Sequence, residues 1–112
     1  MSITSYKDLR VWQRGYRLGI EVYKAINNSR HFTLRDQIQR SALSVPSNIA
    51  EGFERTSNKE YIYHLKVARE SCAELRTQLM FAFDVGALDQ DGSKEFVEES
   101  RIISAILQKL IC

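Results

Sequence analysis

The side chains best suited to chemistry are two histidines, His31 and His64, and two cysteines, Cys72 and Cys112. Helical bundles build di-iron sites from repeated Glu-x-x-His pairs. Here Glu60 and His64 stand four apart rather than three, with no second copy, and no CxxC or HExxH spacing offers a zinc site. No GxxxxGK[ST] or GxGxxG segment is present to cradle a phosphate. Cys72 falls in an apolar helical row and reads as a small buried hydrophobe rather than a nucleophile, and Ser71 has no base at a readable spacing. A ribonuclease would need His64 near Arg69 with a carboxylate across the fold. Arg55 and His64 are too far apart for the arginine-then-histidine spacing of helical ribonucleases. These residues predict no enzyme, no metal or other cofactor and no small-molecule substrate.

Binding chemistry is better represented. The net charge is only +2, but it is unevenly placed: residues 1–59 hold ten Lys/Arg against five Asp/Glu, and residues 60–112 hold six against nine. Arg10, Arg14, Arg17 and Lys24 form one narrow helical stripe, interrupted by Glu21 and with Lys7 at its margin. Such a stripe, repeated by oligomer symmetry, is an electrostatic footprint for phosphates. The plainer alternative is a solvated face with an Arg17–Glu21 helical pair. Trp12, Tyr16 and Tyr23 fall on apolar rows, so few aromatics are left to stack on bases. A second polar row, Gln37, Arg40, Ser44, Asn48, Glu51 and Arg55, shares one helical face. It reads either as solvated surface with a Glu51–Arg55 pair or as a network that docks a neighbour or a ligand.

The elements that must position these groups are helices. At 112 residues, 44% apolar and 27% charged, with five Gly and one Pro, the composition is that of one globular domain over residues 1–112. Two cysteines make no disulfide scaffold, MSITSYKDLR has no signal-peptide core, and no apolar run is long enough to span a membrane. A cytoplasmic protein without a membrane partner is expected. The spacing predicts a first helix over 8–28 with two apolar rows: Leu9, Trp12, Tyr16, Ile20 and Tyr23, and beside them Val11, Gly15, Leu18, Val22 and Ala25. A second helix is expected to open at Thr33, capped by Thr33 and Asp36, and to continue to Phe53 with a kink near Pro46. Ser57 and Glu60 form a capping box for a third helix, whose seam Tyr61, Leu65, Ala68, Cys72, Leu75, Leu79, Ala82 leads to a C-capping Gly86. A fourth helix is expected after Asp89-Gln90-Asp91-Gly92, capped by Ser93, with Phe96, Ile103, Ile106 and Leu110 as its main stripe and Val97, Ile102 and Leu107 beside it. No segment alternates with period two, so the fold class is all-α, an antiparallel up-down four-helix bundle.

One small domain cannot bury both rows of the first helix together with Ile62, Met80, Phe81 and Phe83. The second row, represented by Val11, Leu18 and Val22, is therefore expected to be an interface of a homo-oligomer. A crowded core with some exposed aliphatics is the alternative.

The run Arg40-Ser41-Ala42-Leu43-Ser44-Val45-Pro46-Ser47-Asn48-Ile49-Ala50-Glu51-Gly52 resembles the signature of the 23S rRNA intervening-sequence proteins. Leu9-Arg10-Val11-Trp12 resembles that family's opening L-x-V-W, and residues 61–75 are similar to its F-x-x-F-L-x-I-A-x-G-S-x-x-E-L helix. The likeness covers about residues 6–110. It departs where Glu70 stands in place of a frequent Gly and where Tyr61 and His64 replace two aromatics. The resemblance implies a left-handed antiparallel four-helix bundle, assembled as a homopentamer around a central channel. It also implies a gene lying in a 23S rRNA insertion or elsewhere, nucleic-acid-binding relatives that accompany reverse transcriptases, and no established catalysis. It marks Arg40, Asn48 and Glu51 as the family-motif polar cluster.

Two functions are thus expected to compete. One is RNA or nucleoprotein binding through phosphate contacts from Arg10, Arg14, Arg17 and Lys24, with Arg40 and Arg55 as additions. The other is a protein-interaction scaffold with no nucleic-acid affinity, and a ribonuclease is a distant third.

Overall fold

The structure, a computed structural model, describes residues 4–112. Residues 1–3, which belong to the expected domain and to the N-terminal stretch read for a targeting signal, lie outside the described span. A 3₁₀ turn at Tyr6–Asp8 leads into α1 (Arg10–Ile26), α2 (Phe32–Phe53), α3 (Asn58–Asp84) and α4 (Gln90–Ile111). There is no strand among the described residues. The four helices form a bundle 45 Å long and 21 by 20 Å across. At about 1.5 Å per residue, the 27 residues of α3 account for most of that length.

The ends follow local hydrogen-bond accounting, with three departures from the expected starts. The first helix begins at Arg10 rather than residue 8, because Tyr6–Asp8 close their own turn and Leu9 is extended. The second helix begins at Phe32, so Thr33 sits inside the first turn. Ser29 Oγ already accepts the His31 N–H at 3.1 Å, and the Arg35 N–H reaches the His31 carbonyl at 2.8 Å. The fourth helix begins at Gln90 because the Asp89 carboxylate accepts the Gly92 N–H at 2.7 Å. An anionic cap favoured by the helix dipole preempts Ser93, which is buried and turned toward the Leu79 carbonyl at 3.4 Å. For α3 both expected ends stand. Ser57 Oγ accepts the Glu60 N–H at 3.1 Å, and Gly86, at φ 80°, closes a Schellman motif with Ala87 N to Ala82 O at 2.7 Å and Gly86 N to Phe83 O at 3.0 Å.

Each helix touches two neighbours, giving the seams α1–α2, α2–α3, α3–α4 and α4–α1. The α3 seam residues Leu65, Ala68, Cys72, Leu75, Leu79 and Ala82 are all buried, opposite Ile38, Ala42, Val45 and Ile49 of α2. α2 runs unbroken through Pro46. Proline has no N–H to return to the Ala42 carbonyl, and that carbonyl faces Gly19 of α1: a Cβ there would sit 3.0 Å from Ala42 O. One turn away, a Cβ on Gly15 would lie 3.2 Å from Val45 Cγ1. Gly15 and Gly19 thus let α1 lie close on α2 at the proline.

This close approach corrects the expected interface. Val11, Leu18 and Val22 are only 1–2% exposed and belong to the chain's own core, so a second copy cannot reach them. The row expected to be core faces water instead: Tyr16 is 49%, Ile20 39% and Tyr23 48% exposed. Slim aliphatics fit beside the two glycines, while the tyrosines keep their hydroxyls in solvent. The face of α4 is also rotated from the expected one. Its buried positions are Ser93, Val97, Ser100, Ile103 and Leu107, while Leu110 is 43% exposed. Two serines occupy core positions, and Ser100 satisfies its hydroxyl on the Val97 carbonyl at 2.6 Å.

Candidate interaction surface

On α1 the apolar row and the cationic row stand side by side. Tyr16, Gly19, Ile20 and Tyr23 form one wall of a groove of about 290 Å³, and Ala42, Leu43 and Pro46 of α2 form the other. Leu43 is 64% exposed, and Trp12 stacks on Tyr16 with centroids 4.7 Å apart, extending the patch toward the start of the helix. Lys24 is the one charged residue on this groove. The exposed apolar side chains here are contiguous, with Lys24 at their margin. Sequence reasoning detected the surplus of apolar surface on α1 and assigned it to the wrong row, because both rows repeat with the same period.

The expected phosphate-binding residues do not form one surface. Arg10, Arg17 and Lys24 are exposed along the outside of α1. Arg14 makes a bidentate bridge to Glu99 of α4, Nε to Oε2 at 2.8 Å and Nη2 to Oε1 at 2.7 Å. The hydrogen bond to Glu99 holds the guanidinium above its ordinary pKa, against a smaller opposing effect of burial. On this flank Arg14 and Arg17 line a groove of about 580 Å³ together with Glu21, Glu95, Glu98 and Glu99. Four carboxylates outnumber two arginines there, so the positive field of the stripe is cancelled toward α4. Arg40 lies on α2, on the face that carries Ser44 and Asn48 toward α3, and Arg55 follows the end of that helix at Phe53. Arg55 is paired with Glu51 one turn earlier at 2.5 Å, the helical pair expected from the sequence.

That face of α2 builds a polar ladder with α3. Ser41 Oγ donates to Glu74 at 2.9 Å, and Ser44 and Ser71 hydroxyls meet at 2.8 Å. The Asn48 amide donates to Ser44 O and Oγ, both at 3.0 Å, and its Oδ1 lies 3.2 Å from His64 Nδ1. With the amide nitrogen committed to Ser44, Asn48 Oδ1 accepts the proton of His64 Nδ1. Of the expected cluster Arg40, Asn48 and Glu51, only Asn48 reaches across the seam. His64 was missed as its partner; Ser41, Ser44 and Asn48 paired against Glu74, Ser71 and His64 run in opposite order, a signal that needs both helices to be aligned. Gly52 brings the helices together here, since a Cβ on it would fall 2.9 Å from His64 Cβ.

His64 and Arg69, the pair considered for a ribonuclease, face different seams. Arg69 bonds to Gln108 of α4, across the α3–α4 seam, whereas His64 faces α2. Cys72 is buried, and burial pushes its thiol up to about 11, which makes it a poor nucleophile at neutral pH. Among the described residues no group of three or more His, Cys, Asp or Glu could hold a metal ion. No described helix is long and apolar enough to cross a membrane.

Comparison with known proteins adds a family and a fold. The family model for the 23S rRNA-intervening sequence protein matches residues 7–109. The chain is similar to the crystal structure of a protein of unknown function from the S23 ribosomal protein family of Bacteroides thetaiotaomicron, with a TM-score of 0.84. That likeness covers 90% of this chain and 97% of the other at 22% identity, so it speaks to the fold alone. No protein of curated function matches the sequence.

Proposed function

The chain belongs to the 23S rRNA-intervening sequence protein family, and on that premise we propose that it is a non-enzymatic helical bundle that self-associates and serves as a cytoplasmic scaffold. One observation carries the reading: Tyr16, Ile20, Tyr23 and Leu43, each 39–64% exposed, surround an apolar groove on the α1–α2 seam. Water-facing apolar surface of this kind costs free energy in proportion to its area, and a second copy removes it.

The helices run antiparallel, up and down in sequence order. This is supported by contacts that climb one helix as they descend the next: Gly15 with Val45 and Gly19 with Ala42, then Ser41 with Glu74 and Asn48 with His64, then Arg69 with Gln108 and Arg76 with Ser100. The assembly is a homopentamer, the state that the family resemblance implies. The unpaired Cys72 and Cys112 support a reducing compartment. The separation of His64 from Arg69 supports a role without catalysis.

The decisive experiment is light scattering on the purified chain and on Ile20→Glu. The wild type is expected at about five times its 13.0 kDa chain mass, and the variant at a much lower mass with its helical content unchanged.

A second reading, nucleic-acid binding, is favoured by a different observation. Arg10, Arg17 and Lys24 flank exposed Tyr16 and Tyr23, so aromatic faces stand beside cations where the sequence alone placed them in the core. This reading expects binding of a labelled structured RNA that falls steeply between low and physiological salt. No binding at low salt would remove it and leave the scaffold reading in place.

A further inference from the structure

We propose that the groove between α1 and α4 is a docking site for a short cationic amphipathic helix of a partner protein. The proposal goes beyond self-association and does not depend on it, because it uses the other flank of α1 from the Tyr16–Leu43 groove. The lining combines an apolar floor with acidic walls. Leu18, itself 2% exposed, lines the groove together with half-buried Phe96 and Ile102 of α4. Around them stand Glu21 of α1 and Glu95, Glu98 and Glu99 of α4, enclosing about 580 Å³.

The arginines of the groove do not neutralise these carboxylates. Arg14 is engaged by Glu99 through both nitrogens, at 2.8 and 2.7 Å. The Arg17–Glu21 pair that helical spacing allows is not formed, since neither residue has an opposite charge within 4.0 Å among the described residues. Glu95 likewise has no cation within that distance, and Glu98 has only Arg101, at 3.7 Å. Setting the Arg14–Glu99 pair aside leaves three carboxylates, Glu21, Glu95 and Glu98, against one guanidinium, Arg17, a surplus of two negative charges.

The spacing of the carboxylates selects the form of the occupant. Glu95 stands three positions from Glu98 and four from Glu99, so the three share one face of α4, where like charges one turn apart destabilise a helix. Arg14 relieves one member of this group. Cations one turn apart on an incoming helix, about 5.4 Å, relieve the others. From Glu95 to Ile102 the axis of α4 advances about 10 Å, the length of two helical turns. An apolar face laid on Leu18, Phe96 and Ile102, with Lys or Arg along its edges, is the helix-in-groove mode of recognition. The same carboxylates repel a phosphate backbone, so charge favours a basic protein segment over a nucleic acid here.

The test is fluorescence anisotropy of the full chain with a labelled peptide helix carrying leucines on one face and lysines one turn apart beside them. It is run at low and at physiological salt, next to a scrambled peptide of the same composition that keeps the charge and loses the apolar face. The helical peptide is expected to bind, less tightly at the higher salt, and the scrambled one to bind about tenfold more weakly. Glu21→Lys and Glu95→Lys, one on each wall, are each expected to weaken binding, and together by about tenfold or more, because each turns an attraction into a repulsion. Glu70→Lys, the same change of charge at an exposed position of α3, is expected to leave binding unchanged. Circular dichroism and light scattering establish that the variants keep the fold and the mass of the wild type. No binding at low salt would overturn the proposal. Equal binding of the scrambled peptide, or an equal loss with Glu70→Lys, would overturn it in favour of non-specific attraction. Loss with Glu95→Lys but not with Glu21→Lys would overturn it in favour of the α3–α4 groove, which Glu95 also lines.

Discussion

Leu18 and Ile20 are two positions apart on α1 and carry isomeric side chains, yet the structure gives them opposite roles. Leu18 is 2% exposed in the bundle core and Ile20 is 39% exposed on the α1–α2 groove. Truncating Leu18 to Ala removes fully buried methyl groups and leaves a cavity that α2 and α4 can only partly close, a loss of roughly 2–5 kcal/mol in the free energy of unfolding. Truncating Ile20 removes atoms already in contact with water in the single chain, so its effect on the monomer stays within about 0.5 kcal/mol. In an oligomer that buries Ile20, the same change weakens assembly instead. The assay is urea unfolding followed by circular dichroism at protein concentrations on either side of the assembly range, because association makes apparent stability depend on concentration. Leu18→Ala is expected to lower stability at every concentration. Ile20→Ala is expected to lower it only where the wild type is assembled. If Ile20→Ala destabilised the dilute protein as much as Leu18→Ala, the assignment of the two rows of α1 would be refuted.

Other consequences follow from single sites. Gly52→Ala would place a Cβ 2.9 Å from His64 Cβ and 3.2 Å from Tyr61 O, neither of which is the free end of a flexible side chain, and should cost about 1–3 kcal/mol of stability by thermal or urea unfolding. Gly86→Ala has open space around it but must hold φ near 80°, so a loss of about 1–2 kcal/mol is expected from backbone strain alone. Cys72, whose thiol is pushed up from 9.0 to about 11, contributes stability that is complete below pH 9 and is lost as pH rises toward 11, where the unfolded chain ionises and the folded one does not. Cys72→Ala should flatten the unfolding free energy over that interval, and iodoacetamide at neutral pH should modify Cys112 alone.

The all-helical class, the number of helices and nearly all of α3 were legible because each signal was local. The α3 seam has an apolar residue at every core position, and Ser57 and Gly86 carry cap chemistry that no neighbour contests. The face of α4 was read one position off because Ser93 and Ser100 occupy core positions where a hydrophobic pattern sees only gaps. The start of α4 was misplaced because Asp89 and Ser93 both suit an N-cap, and the charged one won. On α1 two equally periodic rows left the inward direction open; the tie was broken by Gly15 and Gly19 against α2, a tertiary fact. The same limit governed the candidate site. The cations of α1 were visible, but the carboxylate that engages Arg14 lies 85 residues away, and His64, the partner of Asn48 across the seam, lies on another helix.

The central claim, that the exposed row of α1 exists to be covered by another copy of the chain, is tested most directly by the mass of the unmodified protein in solution. Multi-angle light scattering across a dilution series should give a mass several times 13.0 kDa that falls toward that value only on dilution. A mass of 13.0 kDa at every concentration, with the chain folded, would contradict it.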